Sequence, residues 1–201
     1  MKPLAGFVLA GGESSRMGRE KALLELHGEP LVALAAKLVE SVTSRPAIVI
    51  GFSAQSLPDL RVVADDWPGA GPLGGIATAL RVTDGAWNVV IACDLPYLTR
   101  DWLAHLVARA LASKGDAVVP MNERGAEPLC AAYHKRCEPA VRSALQRGVR
   151  KVTDGLAGVR VESIEPAEWK AFDSDGYLFK NMNSPADYEE AKARLRGSAK
   201  R

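Results

Sequence analysis

The strongest constraint on the fold is the run Leu4-Ala5-Gly6-Phe7-Val8-Leu9-Ala10, which carries no polar side chain and breaks directly into Gly11 and Gly12. A strand with one face in water alternates apolar and polar residues. A continuous apolar run is what a strand buried on both faces requires. Further short runs follow at residues 47–50 (ended by Gly51), 61–64, 87–92, 116–120, 128–133 and 160–164.

Helical patterns separate them. Residues 30–44 place Leu31, Leu34, Ala35, Leu38 and Val42 at helical spacing, with Pro30 at the first position. Residues 76–82 read as a second helix. Residues 99–113 form another, with Thr99 as N-cap and Trp102, Leu103, Leu106, Val107 and Ala110 on one face. Residues 138–147 read as a helix closed by Gly148. Ser184-Pro185-Ala186-Asp187 opens a last one with the cap, proline and acid in capping order. The Gly- and Pro-rich residues 65–75 read as a loop.

Strands alternating with helices imply crossover units. The expected fold is therefore α/β: a doubly wound, mainly parallel sheet with helices on both faces. No repeat or linker divides the chain, so residues 1–201 read as a single domain, with a basic tail from about residue 195 expected to fray.

Charge excludes some partners. With 26 Lys plus Arg against 24 Asp plus Glu, the net charge is +2, too small for a broad nucleic-acid surface but compatible with one small anion. Cys93, Cys130 and Cys137 form no C-x-x-C pair, and His27, His105 and His134 lack zinc-ligand spacing. Reduced thiols, no recognisable signal peptide and no apolar stretch of membrane-spanning length point to a cytoplasmic protein with no membrane contact. Trp87 and Trp102 are expected in the core, and His27 and His134 at the surface.

In an open parallel sheet, ligands bind beyond the carboxyl ends of the strands. After the first strand comes Gly11-Gly12-Glu13-Ser14-Ser15-Arg16-Met17-Gly18-Arg19-Glu20-Lys21. It is neither a Walker A loop nor a dinucleotide fingerprint. Its glycines still allow backbone N–H groups close to a phosphate, while Arg16 offers a planar fork and Lys21 a point charge. The loop suits a nucleoside triphosphate tail, and equally an ordinary βα connection with solvated cations.

After the fourth strand stands Cys93-Asp94-Leu95-Pro96. Asp94 is placed either to hold Mg²⁺ or to cap the following helix, and Cys93 reads as a small buried filler. Asp65 and Asp66 precede the loop Gly69-Ala70-Gly71-Pro72-Leu73-Gly74-Gly75, which could lie flat on a base or a phosphate or simply turn. Lys180-Asn181-Met182-Asn183 brings two amides before the last helix, with Asn183 either a water-mediated metal partner or a turn residue.

Together these residues resemble the molybdenum cofactor guanylyltransferases. The resemblance rests on five motifs in order: Phe7-Val8-Leu9-Ala10-Gly11-Gly12 with Arg16-Met17-Gly18 and Lys21; Gly71-Pro72-Leu73-Gly74-Gly75; Cys93-Asp94-Leu95-Pro96; Glu127-Pro128-Leu129-Cys130-Ala131-Ala132-Tyr133; and Asn181-Met182-Asn183-Ser184-Pro185. It implies a Rossmann-like nucleotidyltransferase fold and transfer of GMP from GTP to the terminal phosphate of molybdopterin, with Mg²⁺ and release of pyrophosphate.

By that resemblance Leu9, Ala10, Gly11, Gly12, Gly51, Asp65, Gly71, Pro72 and Leu73 surround the nucleotide. Arg16 and Lys21 meet its phosphates, Asp94 holds Mg²⁺, and Asn181 and Asn183 stand behind the metal or beside the pterin. Three positions depart from the family pattern: Glu20 replaces an Asp before the lysine, Ser15 a second cation, and Gly51 an Asn near the base.

The competing readings are a cytidylyltransferase on the same cofactor, a sugar-1-phosphate nucleotidyltransferase and a catalytically silent nucleotide-binding adaptor. The second loop favours GTP over CTP, and the first lacks the Pro-Lys ending of the sugar enzymes. Retention of Arg16, Lys21 and Asp94 argues against the adaptor. The molybdenum insertion enzyme and molybdoenzyme chaperones are expected partners, because an oxidation-prone product favours hand-off.

Overall fold

The computed structural model describes residues 4–11, 21–51 and 59–198. The run opening the chain forms β1 (Leu4–Leu9). It is followed by a small hairpin, β2 (Glu25–Leu26) and β3 (Glu29–Pro30), and by α1 (Leu31–Thr43). Then come β4 (Ile48–Ile50), β5 (Arg61–Val63), α2 (Pro72–Val82), β6 (Trp87–Ala92) and α3 (Arg100–Ala112). The second half holds β7 (Ala117–Asn122), β8 (Gly125–Ala126), β9 (Cys130–His134), α4 (Glu138–Gln146), α5 (Val152–Gly155), β10 (Val161–Ile164), α6 (Pro166–Trp169) and α7 (Pro185–Ser198).

The main sheet runs β10-β7-β9-β6-β1-β4-β5, with β8 paired to β7. The pairs β1–β4, β1–β6, β4–β5 and β10–β7 are parallel. β9 is antiparallel to both β6 and β7. The sheet is thus mainly parallel, as the alternation of elements implies, with one strand reversed between β6 and β7.

The continuous apolar runs explain themselves in the two faces. Val8, Val49, Val89 and Ile91 point to the side covered by α1 and α3, where Trp102, Leu103 and Leu106 are packed. Phe7, Leu9, Ile48, Ile50 and Val90 point to the side of α2 and α4, against Leu73, Ile76, Leu80 and Val141. Every residue of such a strand faces a helix, so no polar alternation survives. Each fully buried large side chain contributes about 1.5–3 kcal/mol of transfer free energy. Trp87 and Trp102 are core residues, as expected. A third, smaller cluster joins Leu26 and Leu31 to Met182 and Ala191 of the last helix region.

Several expectations need correction. α2 begins at Pro72, not residue 76, because Gly71 takes a left-handed φ of 68° and lets Pro72 occupy the first turn. His134 is buried, its ring edge-on to Trp87 at 5.2 Å and bonded to Arg136. α7 extends through Ser198, and residues 199–201 lie outside the described residues. The β2–β3 hairpin, β8, α5 and α6 were too short to announce themselves by periodicity. By contrast Thr99 caps α3, its Oγ1 accepting from the Trp102 N–H at 3.2 Å.

Candidate active site

The carboxyl ends of β1, β4, β5 and β6 are stitched level by main-chain bonds. Ala10 N–H donates to the Ile50 carbonyl (3.0 Å), Gly51 N–H to Val63 (3.1 Å) and Cys93 N–H to Leu9 (3.1 Å). Gly51 has a φ of +84°, and a Cβ there would lie 3.1 Å from the Gly11 Cα. A Cβ on Gly11 would lie 3.1 Å from the Gly51 carbonyl oxygen. The two backbones therefore touch, and glycine is required on both sides. Gly12 and Arg16 lie outside the described residues.

Several expected nucleotide residues offer only backbone. The Leu9 side chain is buried against Gly75, and that of Leu73 is fully buried against Gly155 of α5. Asp65 Oδ1 accepts from the Trp67 N–H (3.0 Å) and the Thr78 hydroxyl (2.8 Å), bracing the loop that leads to Gly71 and Pro72.

At the next strand end three distant segments meet. Lys21 Nζ lies 2.6 Å from Asp94 Oδ2 and donates to Asn183 Oδ1 at 3.0 Å. The Lys21 and Asp94 side chains are only 15% and 18% exposed. Met182 N–H donates to the Asp94 carbonyl at 2.9 Å and the Met182 side chain is buried, which pins the asparagine segment against the Asp94 turn.

The capping box then sets Asn183. Asp187 Oδ2 accepts from the N–H groups of Asn183 (3.0 Å) and Ser184 (2.8 Å), while the Ser184 hydroxyl accepts from the Asp187 N–H (3.2 Å). The Ser184 hydroxyl bond, with these amides, holds the Asp187 carboxyl below its usual range. Asp94 does not cap α3, since Thr99 does. Its Oδ1 is buried and has no hydrogen-bond partner among the described residues.

That orphaned oxygen suits a hard cation. Mg²⁺ takes one or two carboxylates and completes its shell with phosphate oxygens and water, so a single protein carboxylate beside a lysine fits it. No group of three or more His, Cys, Asp or Glu side chains able to hold a metal exists among the described residues. Cys93, next to Asp94, is buried, and that burial pushes its thiol up to about 12. It remains a protonated filler rather than a nucleophile.

Beyond Asn183 opens a cleft of about 850 Å³, lined by Asn181 and Asn183 on one side and by Asn122, Glu127, Trp169 and Lys180 on others. Its volume lies in the range of small-molecule sites. Asn181 was expected behind the metal or beside the pterin by resemblance, and Lys180 opened the same quoted stretch, but Asn122 and Trp169 carried no site signal in the sequence. Glu127 did stand in a motif, as an acid followed by Pro128 just before a buried strand, yet without an assigned role.

Comparison with known proteins gives a consistent result. Residues 6–161 match the model of the MobA-like NTP transferase domain. A protein of Pelotomaculum thermopropionicum named probable molybdenum cofactor guanylyltransferase is 34% identical, over 98% of this chain and 96% of its own. One of the same name from Methanothermobacter thermautotrophicus is also 34% identical, over 90% and 94%. Among solved structures, molybdopterin-guanine dinucleotide biosynthesis protein A from Archaeoglobus fulgidus superposes with a TM-score of 0.82 at 25% identity, covering 96% of this chain and 99% of that one.

Proposed function

Since the chain belongs to the MobA-like NTP transferase family, we propose that it transfers GMP from GTP to the terminal phosphate of molybdopterin, forming the guanine dinucleotide cofactor and releasing pyrophosphate. It is a nucleotidyltransferase, and its full-length relatives carry the guanylyltransferase name. The observation that carries the residue assignment is the meeting of Lys21, Asp94 and Asn183, with Asp94 Oδ1 left without a partner among the described residues.

In this reading an oxygen of the molybdopterin phosphate attacks the α-phosphorus of GTP. A new P–O bond forms as the bond to the β-phosphate bridge breaks, and pyrophosphate departs. Such a transfer needs alignment and charge neutralisation more than proton movement, because a phosphate monoester is already largely ionised near pH 7. That accounts for a site without a catalytic histidine. Lys21, with Arg16 from the loop, neutralises the triphosphate. Asp94, through Oδ1, would hold the divalent metal common to nucleotidyltransferases, here Mg²⁺, which supplies charge compensation on the phosphates. Asn183, fixed by Asp187, holds the lysine in line. The strand ends carrying Leu9, Ala10, Gly11 and Gly51 offer backbone to the guanine nucleotide. With Gly51 there is no side-chain amide for the base at that position, so base selection falls to main-chain groups.

No described helix is long and apolar enough to cross a membrane. The reading places the enzyme in the cytoplasm, handing its product to molybdoenzyme chaperones and receiving substrate from the insertion enzyme. A pull-down that captures neither overturns that part. The main test measures pyrophosphate release with GTP and with CTP, each with and without molybdopterin. Release is expected only with GTP and molybdopterin together. Release with CTP would make the protein a cytidylyltransferase, and none under any condition would make it a silent adaptor.

A further inference from the structure

Four acids border the cleft beyond Asn183: Glu123, Glu127, Asp173 and Asp187. Two are already taken up by backbone N–H groups, and a third is exposed. Asp187 caps the last helix. Asp173 Oδ1 accepts from the N–H groups of Tyr177 (2.9 Å) and Leu178 (3.1 Å). Glu123 is 88% exposed and sits 4.0 Å from the Lys170 ammonium.

Glu127 differs. It is half-buried, and among the described residues no salt bridge reaches it. Its Oε1 accepts from the Asn122 side-chain amide. The other end of that amide, Asn122 Oδ1, accepts from the Arg124 N–H at 2.7 Å, so Asn122 cannot turn away. The Glu127 backbone is fixed as well, its N–H donating to the Pro120 carbonyl (2.8 Å) and its carbonyl accepting from Cys130 (3.2 Å). Two strand ends therefore hold one carboxylate rigidly at the wall of a cleft that begins at the phosphate-handling residues.

A carboxylate drawn out of water is costly unless donors or charge meet it. Burial raises its pKa, against the Asn122 bond and the Arg124 charge, which lower it. A carboxylate also has a geometry: two parallel acceptor oxygens match two parallel N–H donors. A planar ligand in the cleft with neighbouring N–H groups would supply such a pair.

We infer that Glu127 is the residue that recognises the acceptor's heterocycle, by accepting hydrogen bonds from the ring N–H and exocyclic amino group of its 2-amino-4-oxopyrimidine edge. This inference rests on the proposed function, whose acceptor is a pterin phosphate, and takes the cleft beyond Asn183 as the place of its ring. It adds the residue and the atoms that select it. For its phosphate to reach the Lys21–Asp94–Asn183 cluster, the ring would lie along the cleft past Asn181, whose wall carries Glu127. A fixed carboxylate matches such an edge; Glu123 is 88% exposed, and Asp173 and Asp187 are taken up by backbone N–H groups.

The test separates the inference from the reading it rests on. Steady-state GMP transfer is measured first for the native protein with GTP and molybdopterin, and absence of transfer would overturn the function itself. With transfer established, Glu127→Gln keeps the shape and the contact to Asn122 but replaces one acceptor by a donor. The KM for molybdopterin is expected to rise about ten- to a hundredfold, the scale of a hydrogen bond to a charged group, with the KM for GTP unchanged. An unchanged molybdopterin KM would overturn the inference. A second measurement needs no variant. Quenching of tryptophan fluorescence, with Trp169 on the cleft wall, compares binding of pterin with lumazine, whose 2-amino group is replaced by oxygen. The native protein is expected to prefer pterin by about tenfold or more; equal binding would overturn the assignment.

Discussion

Around β1 and β4 the wall of the site is backbone: Gly11 and Gly51 touch main chain to main chain, and Leu9 and Leu73 turn their side chains into the core. Around β7 and β9 the wall is side chain: Asn122 holds Glu127, Asp187 holds Asn183, and Trp169 donates to the Met121 carbonyl at 2.7 Å. The Lys21–Asp94 pair stands between the two. A backbone wall presents N–H groups and carbonyls that any nucleotide phosphate or base can meet. A side-chain wall selects by residue type. β9 sharpens the contrast, because reversing one strand puts the loop before it, with Glu127, beside the carboxyl ends of its parallel neighbours.

The comparison can be broken from its middle outward. Asp94→Asn should lower turnover by about 10²–10³-fold, the scale of losing one fixed charge-stabilising group. The melting temperature should stay near native, and activity close to native would remove Asp94 from the metal role. Lys21→Ala should cost well over tenfold in kcat/KM for GTP, and unchanged kinetics would show that the loop cations act without it.

Gly51→Ala probes the backbone half. A side chain at φ +84° costs about 1–2 kcal/mol, and its Cβ would press on Gly11. Chemical denaturation should show that loss, and the KM for GTP should rise while that for molybdopterin holds. A rise in both would mean the two walls are not independent.

The smallest effect belongs to Asp116, beside the opposite end of β7 from the cleft. Hydrogen bonds from Arg160 and Arg136 hold its carboxyl well below the usual range. A depressed carboxylate stabilises the fold fully above its unfolded pKa of about 3.9 and loses that contribution as the pH falls below it. Asp116→Asn should therefore be less stable than native at pH 7, with the difference shrinking toward pH 2 and catalysis unchanged. A constant difference across that range would assign the loss to packing instead.

How much of this could be read without coordinates depends on the wall concerned. The doubly wound sheet was readable because a strand covered on both faces leaves an uninterrupted apolar run, as in β1 and β6. The start of α2 was missed because Gly74 and Gly75 look like loop residues, yet they sit inside the helix, where Gly75 lets it close on Leu9. His134 was misplaced because a lone histidine at a strand end gives no sign of the Trp87 ring beneath it.

The sequence by itself determined the layered architecture, the level of the strand ends and the glycine loop, since each is a local consequence of burial or of a φ angle. It also marked Lys21, Asp94, Asn181 and Asn183 as chemistry at strand and helix ends. Only the tertiary structure decided that Lys21 and Asn183, 162 positions apart, share a hydrogen bond. It alone left Asp94 Oδ1 without a partner among the described residues and set Glu127, held by Asn122, at the wall of the cleft. Hydrogen-bond satisfaction depends on which distant groups come within reach, and no local pattern encodes that.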